Sequence, residues 1–159
     1  MKNIILTGSP GTGKTTIAKL LSKKLKYKYI DVNKLIKEKK LKEKYIKKLD
    51  TYEVNTDKLT DELIKIIKKS KGVVIDSHLS HYIPKKYVNL CIVCKCSLKE
   101  LKKRLEKRKY SKIKVNENLD SEIFDVCFIE AKEKKHNIIT VDTTVEKLNK
   151  IIKAIKEII

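Results

Sequence analysis

Two hydrophobic rhythms alternate along this chain. Short apolar, β-branched runs read as buried strands: Asn3 to Thr7, Tyr27 to Val32, Gly72 to Asp76, Tyr87 to Cys94 and Asn137 to Val141. Between them apolar residues recur at helical spacing. Ile17, Leu20, Leu21 and Leu25 follow the first run, and Leu35, Ile36 and Leu41 follow Asn33 as a cap. Leu59, Leu63, Ile64 and Ile67 follow Asp57, while Leu98, Leu101 and Leu105 stripe a helix ending near Lys109. Leu119, Ile123, Phe124, Cys127 and Ala131 predict one helix from Asn116 to His136, and Thr144 to Ile159 an amphipathic closing helix. Residues 37–55 are lysine-rich and weakly periodic and read as a mobile excursion. Strands alternating with helices predict an α/β three-layer sandwich: a five-stranded parallel sheet flanked by helices. Right-handed crossovers then put ligands at the carboxyl ends of the strands.

One such end carries a strong motif. Gly8-Ser9-Pro10-Gly11-Thr12-Gly13-Lys14-Thr15-Thr16 fits Gly-x-x-x-x-Gly-Lys-Thr between a strand and a helix. The glycines let backbone N–H groups curl around phosphate oxygens, and the helix N-terminus adds partial positive charge. Lys14 is placed to reach the β- and γ-phosphates of a nucleoside triphosphate, and the Thr15 hydroxyl to ligate Mg²⁺. The sandwich is therefore expected to be of the P-loop NTPase kind, binding a nucleoside triphosphate.

Three further positions bear on chemistry. Asp76 is the only charge at the end of an apolar strand, at the same edge as the loop, where a second acidic group would hold Mg²⁺. His78, two residues on, faces the same way if the chain stays extended, and its imidazole could orient or deprotonate an acceptor; His81 reads as structural. Arg104 and Arg108 are the only arginines among 39 basic residues and share a helix face. A guanidinium fork suits phosphate in a way lysine does not, so both are expected at the transferring phosphoryl group.

Composition narrows the setting. The chain carries a formal charge of +19, with 39 basic and 20 acidic residues, and lacks Gln and Trp. A hyperthermophile-like lysine bias accounts for much of this charge; the rest leaves room for an RNA or ribonucleoprotein partner. No apolar run nears the ~18 residues of a membrane span, and the first strand begins almost at Met1, which predicts a cytoplasmic protein without a signal peptide. Cys91, Cys94, Cys96 and Cys127 are expected to be reduced and buried, because Cys91 and Cys94 on a strand point to opposite faces and cannot grip one metal.

Together these residues resemble the adenylate kinase isoenzyme 6 (CINAP-like) family of nucleoside-monophosphate kinases, nearly end to end. The phosphate loop matches that family's Gly-Thr/Ser-Pro-Gly-x-Gly-Lys-Thr-Thr, and Asp76-Ser77-His78 with Pro84 matches its Asp-x-His…Pro. Arg104-Leu105-Glu106-Lys107-Arg108-Lys109-Tyr110, Asn116-Glu117-Asn118 and Glu122-Ile123-Phe124 match its Arg-Leu-Glu-x-Arg-Gly-Tyr and Asn…Glu-Ile-Phe. The resemblance implies that Gly11, Gly13, Lys14, Thr15 and Thr16 hold the ATP phosphates, that Arg108 opens a lid over 107–117 and contacts ATP, and that 31–54 bind the monophosphate. The core is then 1–30, 55–106 and 118–159. It also implies that Asp76 and His78 serve Mg²⁺ and hydrolysis, that ATP and AMP yield two ADP, and that ATPase activity accompanies this. A small-subunit ribosomal protein, bound during ribosome maturation, is the implied partner; a monomer is the default. Lys109 and Leu79 stand where the family favours glycine, and the monophosphate segment has no arginine, with Lys37 nearest. Two alternatives stay open: mainly an ATP-hydrolysing ribosome-assembly factor, or a kinase for another small acceptor, since shikimate and nucleoside kinases share the architecture.

Overall fold

The computed structural model describes residues 2–159. In chain order the elements are β1 (Asn3–Thr7), α1 (Lys14–Leu25), β2 (Lys28–Asp31), α2 (Val32–Glu38), β3 (Lys42–Ile46), β4 (Thr51–Val54), α3 (Thr56–Lys68) and β5 (Val73–Asp76). They continue with β6 (Leu90–Lys95), α4 (Leu98–Lys107), α5 (Lys112–Ile123), α6 (Val126–Glu133), β7 (Ile138–Asp142) and α7 (Leu148–Ile158). Five strands form a parallel sheet in the order β2-β5-β1-β6-β7.

Alternation along the strands divides the core. Ile5, Ile75, Cys91 and Val93 face Leu35, Leu59, Leu63, Ile67 and Ala131 of α2, α3 and α6. Ile4, Leu6, Val74, Ile92 and Cys94 face Ile17, Leu21, Ile151 and Ile155 of α1 and α7. Cys91 and Cys94 thus lie on opposite faces, and all four cysteines are free and buried. A smaller cluster of Cys96, Leu101, Leu105 and Val115 joins α4 to α5 above the sheet edge. Register puts Asp76 beside Leu6 and beside Asp31, so β5 ends where β1 gives way to its loop. No helix among the described residues is long and apolar enough to cross a membrane.

Several expectations are corrected. Residues 42–54, part of the segment read as an excursion and given no elements, form an antiparallel hairpin, β3–β4, with Tyr45 opposite Tyr52. Its strands are exposed apart from half-buried Ile46 and Val54 at their ends, so no period-two pattern marked them. The single helix expected from Asn116 to His136 is two: Asp125 takes a left-handed φ of 52° between α5 and α6, its carboxylate paired with Lys95. The caps also move. Asp31, not Asn33, accepts the Lys34 N–H at 3.2 Å, and Asn55, not Asp57, accepts that of Lys58 at 3.0 Å. The closing helix begins at Leu148 rather than Thr144.

Candidate active site

β1 ends at Thr7 and turns at Gly8, whose φ is 138°. A Cβ there would collide with the Cys94 carbonyl of β6, so only hydrogen fits. Gly13 caps α1 in the left-handed region, φ 87° and ψ 7°, which aims the first N–H groups of the helix into the loop. The Ser9 carbonyl is the hub inside. It accepts the Thr12 N–H at 3.3 Å, the Thr12 hydroxyl at 2.7 Å and the Lys14 ammonium at 2.8 Å. Lys14 also donates to the Gly8 carbonyl at 2.8 Å. Its side chain is buried, and burial lowers its pKa against the opposing pull of Asp76.

Asp76 stands where the sequence put it. Its Oδ2 accepts the Thr15 hydroxyl at 2.6 Å and the Tyr29 hydroxyl at 3.1 Å. Burial, then the Asp76 carboxylate, raises the Tyr29 pKa, so that phenol remains a donor. A hydroxyl and a carboxylate oxygen converging beside the phosphate loop fit a hard cation such as Mg²⁺. No group of three or more His, Cys, Asp or Glu side chains among the described residues could hold a metal, so the rest of its shell would come from phosphate and water.

His78 opens onto the cleft from the loop after β5. The surrounding protein, then Lys14 and His81, push its pKa down to about 4. Its ring is exposed on the cleft side, so water tempers that push without reversing it; the imidazole is neutral at pH 7.

The two arginines part company. Arg104 Nε donates to Glu100 at 3.0 Å, and its Nη1 to the Gly11 carbonyl at 3.2 Å and the Thr143 hydroxyl at 3.1 Å. It therefore ties α4 to the phosphate loop and to the turn after β7. Arg108, at the end of α4, lines the phosphate cavity itself.

Two cavities adjoin the loop, and a third adjoins the first. The phosphate cavity holds about 460 Å³ and contains Gly11, Gly13, Lys14, Thr15, Thr16 and Asp76. A slot of about 570 Å³ is lined by Gly11, Gly13 and Thr16 of the loop, by the apolar Ile17, Leu148 and Ile151, and by Arg104 and Arg108. A third, of about 490 Å³, runs under the β3–β4 hairpin past Lys37, Lys42, Tyr45 and Tyr52. The first and third meet at a seam: Asn33, Thr51, His78 and Lys114 line both.

Other participants carried no motif of their own. Glu122 of α5 accepts the Ser9 hydroxyl at 2.9 Å and the Cys96 N–H at 3.2 Å, clipping that helix to the loop. Its place in Glu122-Ile123-Phe124 was the only sequence signal. Thr143 donates to the Thr12 carbonyl at 2.9 Å from the carboxyl edge of β7, where strand order alone could have nominated it. Behind the loop, buried His81 joins Thr7 and Glu130, each at 2.7 Å, as a structural bridge. The partners assign the proton: the Thr7 hydroxyl donates to Nδ1, and Nε2–H donates to the carboxylate.

Comparison with known proteins follows the same lines. Residues 4–125 match a family model described as an AAA domain. The chain is 40% identical over 154 residues to "Putative adenylate kinase" of Methanocaldococcus jannaschii, covering 96% of this chain and 85% of that one. It is 36% identical over 147 residues to "Adenylate kinase isoenzyme 6 homolog" of Dictyostelium discoideum, covering 91% and 83%. Among solved structures it is similar to shikimate kinase from Acinetobacter baumannii in complex with shikimate (TM-score 0.70, 15% identity, 99% of this chain and 92% of that one). It is also similar to deoxyadenosine kinase from M. mycoides with bound dATP (TM-score 0.64, 17% identity, 99% of each). At those identities the two structures speak to the fold, which is that of the P-loop kinases.

Proposed function

The chain belongs to the adenylate kinase isoenzyme 6 family, and from that premise we propose that it transfers the γ-phosphoryl group of ATP to AMP, giving two ADP. The observation that carries this reading is the seam. A phosphate-loop cavity and a second cavity that carries Lys37 and Lys42 share the lining residues Asn33, Thr51, His78 and Lys114, the adjacency that in-line transfer between two nucleotides requires.

In this reading the adenine of ATP enters the slot lined by Ile17, Leu148, Ile151 and the two arginines, where its flat face stacks on guanidinium. The N–H groups of the loop and of the first turn of α1, with Lys14, hold the phosphates. Thr15 and Asp76 hold Mg²⁺, which neutralises charge on the β- and γ-phosphates when bound. Arg108 contacts ATP from the lid, 107–117, and Arg104 acts at one remove by fixing Gly11. Residues 31–54 receive AMP, and the remainder is the core. Closure of lid and hairpin expels water, which strengthens each of these charge interactions.

A second reaction is supported by His78. Its imidazole is neutral at pH 7 and open to the seam, so it can accept a proton from water where the acceptor would stand. ATP hydrolysis without AMP belongs to the proposal on that ground. The net charge of +19 suits an anionic partner, consistent with a role in small-ribosomal-subunit maturation.

The test is turnover of ATP with and without AMP, following ADP and inorganic phosphate separately. Two ADP formed for each AMP consumed, with little phosphate, is the result expected of a kinase. Phosphate release indifferent to AMP would overturn it in favour of an ATP-hydrolysing assembly factor.

A further inference from the structure

We propose that Lys114 is a catalytic residue: its ammonium bridges the γ-phosphoryl group and the acceptor phosphate during transfer. The inference rests on the adenylate kinase reading and names the cation between the two phosphate groups, which that reading leaves unassigned.

Elimination among the charged groups points to it. Segment 31–54 contains no arginine. Lys37 and Lys42 line the acceptor cavity but not the phosphate cavity, whereas Lys14 and Arg108 line the phosphate cavity but not the acceptor cavity. Arg104 is bonded to Glu100, Gly11 and Thr143. Of the four residues at the seam, Asn33 and Thr51 are uncharged, His78 is an imidazole, and Lys114 alone is an amine. Lys114 is the seam's cation.

Its present bond leaves that charge available. Lys114 Nζ donates to the backbone carbonyl of Asp50, in the turn of the hairpin, at 3.0 Å, and lies 4.5 Å from the centre of the Tyr110 ring. Neither partner is an anion. A phosphate oxygen at the seam is a stronger acceptor than a neutral carbonyl, so the ammonium exchanges one for the other by turning its own side chain. The mounting is firm. Lys114 sits in the first turn of α5, its N–H bonded to the Ser111 cap at 3.2 Å, and the far end of α5 is clipped to the phosphate loop through Glu122 and Ser9.

The chemistry needs a cation there and no base. An ionised oxygen of the AMP phosphate donates its electron pair to the γ-phosphorus, forming the new P–O bond. The bond from γ-phosphorus to the β,γ-bridging oxygen breaks, and its pair stays on the departing ADP. No proton moves, and the obstacle is the mutual repulsion of two anionic groups brought into contact. A single ammonium between them offsets that repulsion where it is greatest. Water as acceptor is uncharged, so hydrolysis depends on Lys114 far less.

That asymmetry supplies the experiment. AMP-dependent ADP formation, AMP-independent phosphate release, ATP affinity and thermal unfolding are measured for the wild type, Lys114→Ala and Lys114→Arg. Lys114→Ala is expected to lower kcat/KM for AMP by about a hundredfold, the scale of losing one transition-state charge donor, with thermal unfolding unchanged and both ATP affinity and phosphate release much less affected. Lys114→Arg is expected to restore most of the transfer. Unchanged transfer in Lys114→Ala overturns the inference, as does an equal fall in transfer and hydrolysis, which would mark a structural role. A wild type that forms no ADP from AMP removes the adenylate kinase reading itself and the inference with it.

Discussion

The phosphate loop and the β3–β4 hairpin face each other across one cleft, and they are built by opposite means. The loop is over-determined. One carbonyl, that of Ser9, takes three donors, and Arg104, Glu122 and Thr143 hold the loop from three separate elements. The hairpin is exposed along both strands apart from half-buried Ile46 and Val54 at their ends. It is held by Asn55 on Glu43 at 2.8 Å, Tyr45 on Asp50 at 2.7 Å, Lys42 over the Tyr52 ring at 4.5 Å and the Lys114 contact at its turn. A preorganised donor site stabilises developing charge without reorganising when the reaction occurs. In the proposed reading, a lightly held acceptor site would let AMP enter and be completed by it. One protein thus joins a rigid site to a compliant one, and local stability should fall across the cleft.

Lys14→Ala tests the rigid side hardest. It should remove turnover to AMP and to water together, by about three orders of magnitude, because both reactions need the same charge on the β- and γ-phosphates; a loss confined to one acceptor would break the comparison. Arg108→Lys keeps the charge and loses the fork, so kcat/KM for ATP should fall by roughly tenfold, as read by initial rates at limiting ATP. Near-native rates would show that the fork is not used.

Acid should also act on the loop side. Burial lowers the pKa of His81 below the ordinary 6.5, outweighing Glu130, while Lys134 and His136 add to the depression. As pH falls below about 6.5 the unfolded chain takes a proton that folded His81 resists, so stability is full above that value and declines beneath it. Urea midpoints measured from pH 8 to pH 5 should therefore fall on acidification, and less so in His81→Gln; a flat profile in the wild type would discard the buried neutral bridge. The smallest effect belongs to the hairpin. Tyr45→Phe removes one exposed bond and should change global stability by less than about 0.5 kcal/mol, its effect appearing in KM for AMP. A destabilisation comparable to a core substitution would show that the hairpin is no softer than the loop.

The same division decided what could be read in the amino-acid order. The loop was legible because its geometry is fixed locally: glycines at set spacing, Lys14 and Thr15 next to them, a buried strand before and a helix after. Asp76 was legible because a carboxylate closing a fully buried strand needs polar or cationic company at that edge, and the phosphate loop stands there. Arg104 was noticed by rarity, but its bonds to Gly11 and Thr143 come from elements far apart in sequence. The hairpin escaped because Lys42 to Ile46 and Thr51 to Val54 have no buried face to impose alternation. Lys114 escaped because every basic residue but two is a lysine, so its type carried no information and only its place does. The break at Asp125 escaped because a single left-handed aspartate leaves the apolar spacing around it intact.

Helix α5 touches both regions, through Glu122 to Ser9 at one end and Lys114 to Asp50 at the other, about 12 Å of helix apart at 1.5 Å per residue. If both regions bind nucleotide as proposed, a rod pinned to each makes either site a reporter of the other. Thermodynamic reciprocity then applies: whatever factor AMP imposes on the affinity for a non-hydrolysable ATP analogue, that analogue must impose on AMP. Calorimetric titrations in both orders should return one coupling factor greater than one, shrinking toward one when Glu122→Ala frees the rod at its loop end. A factor of one in the wild type would mean that the two nucleotides bind without knowledge of each other.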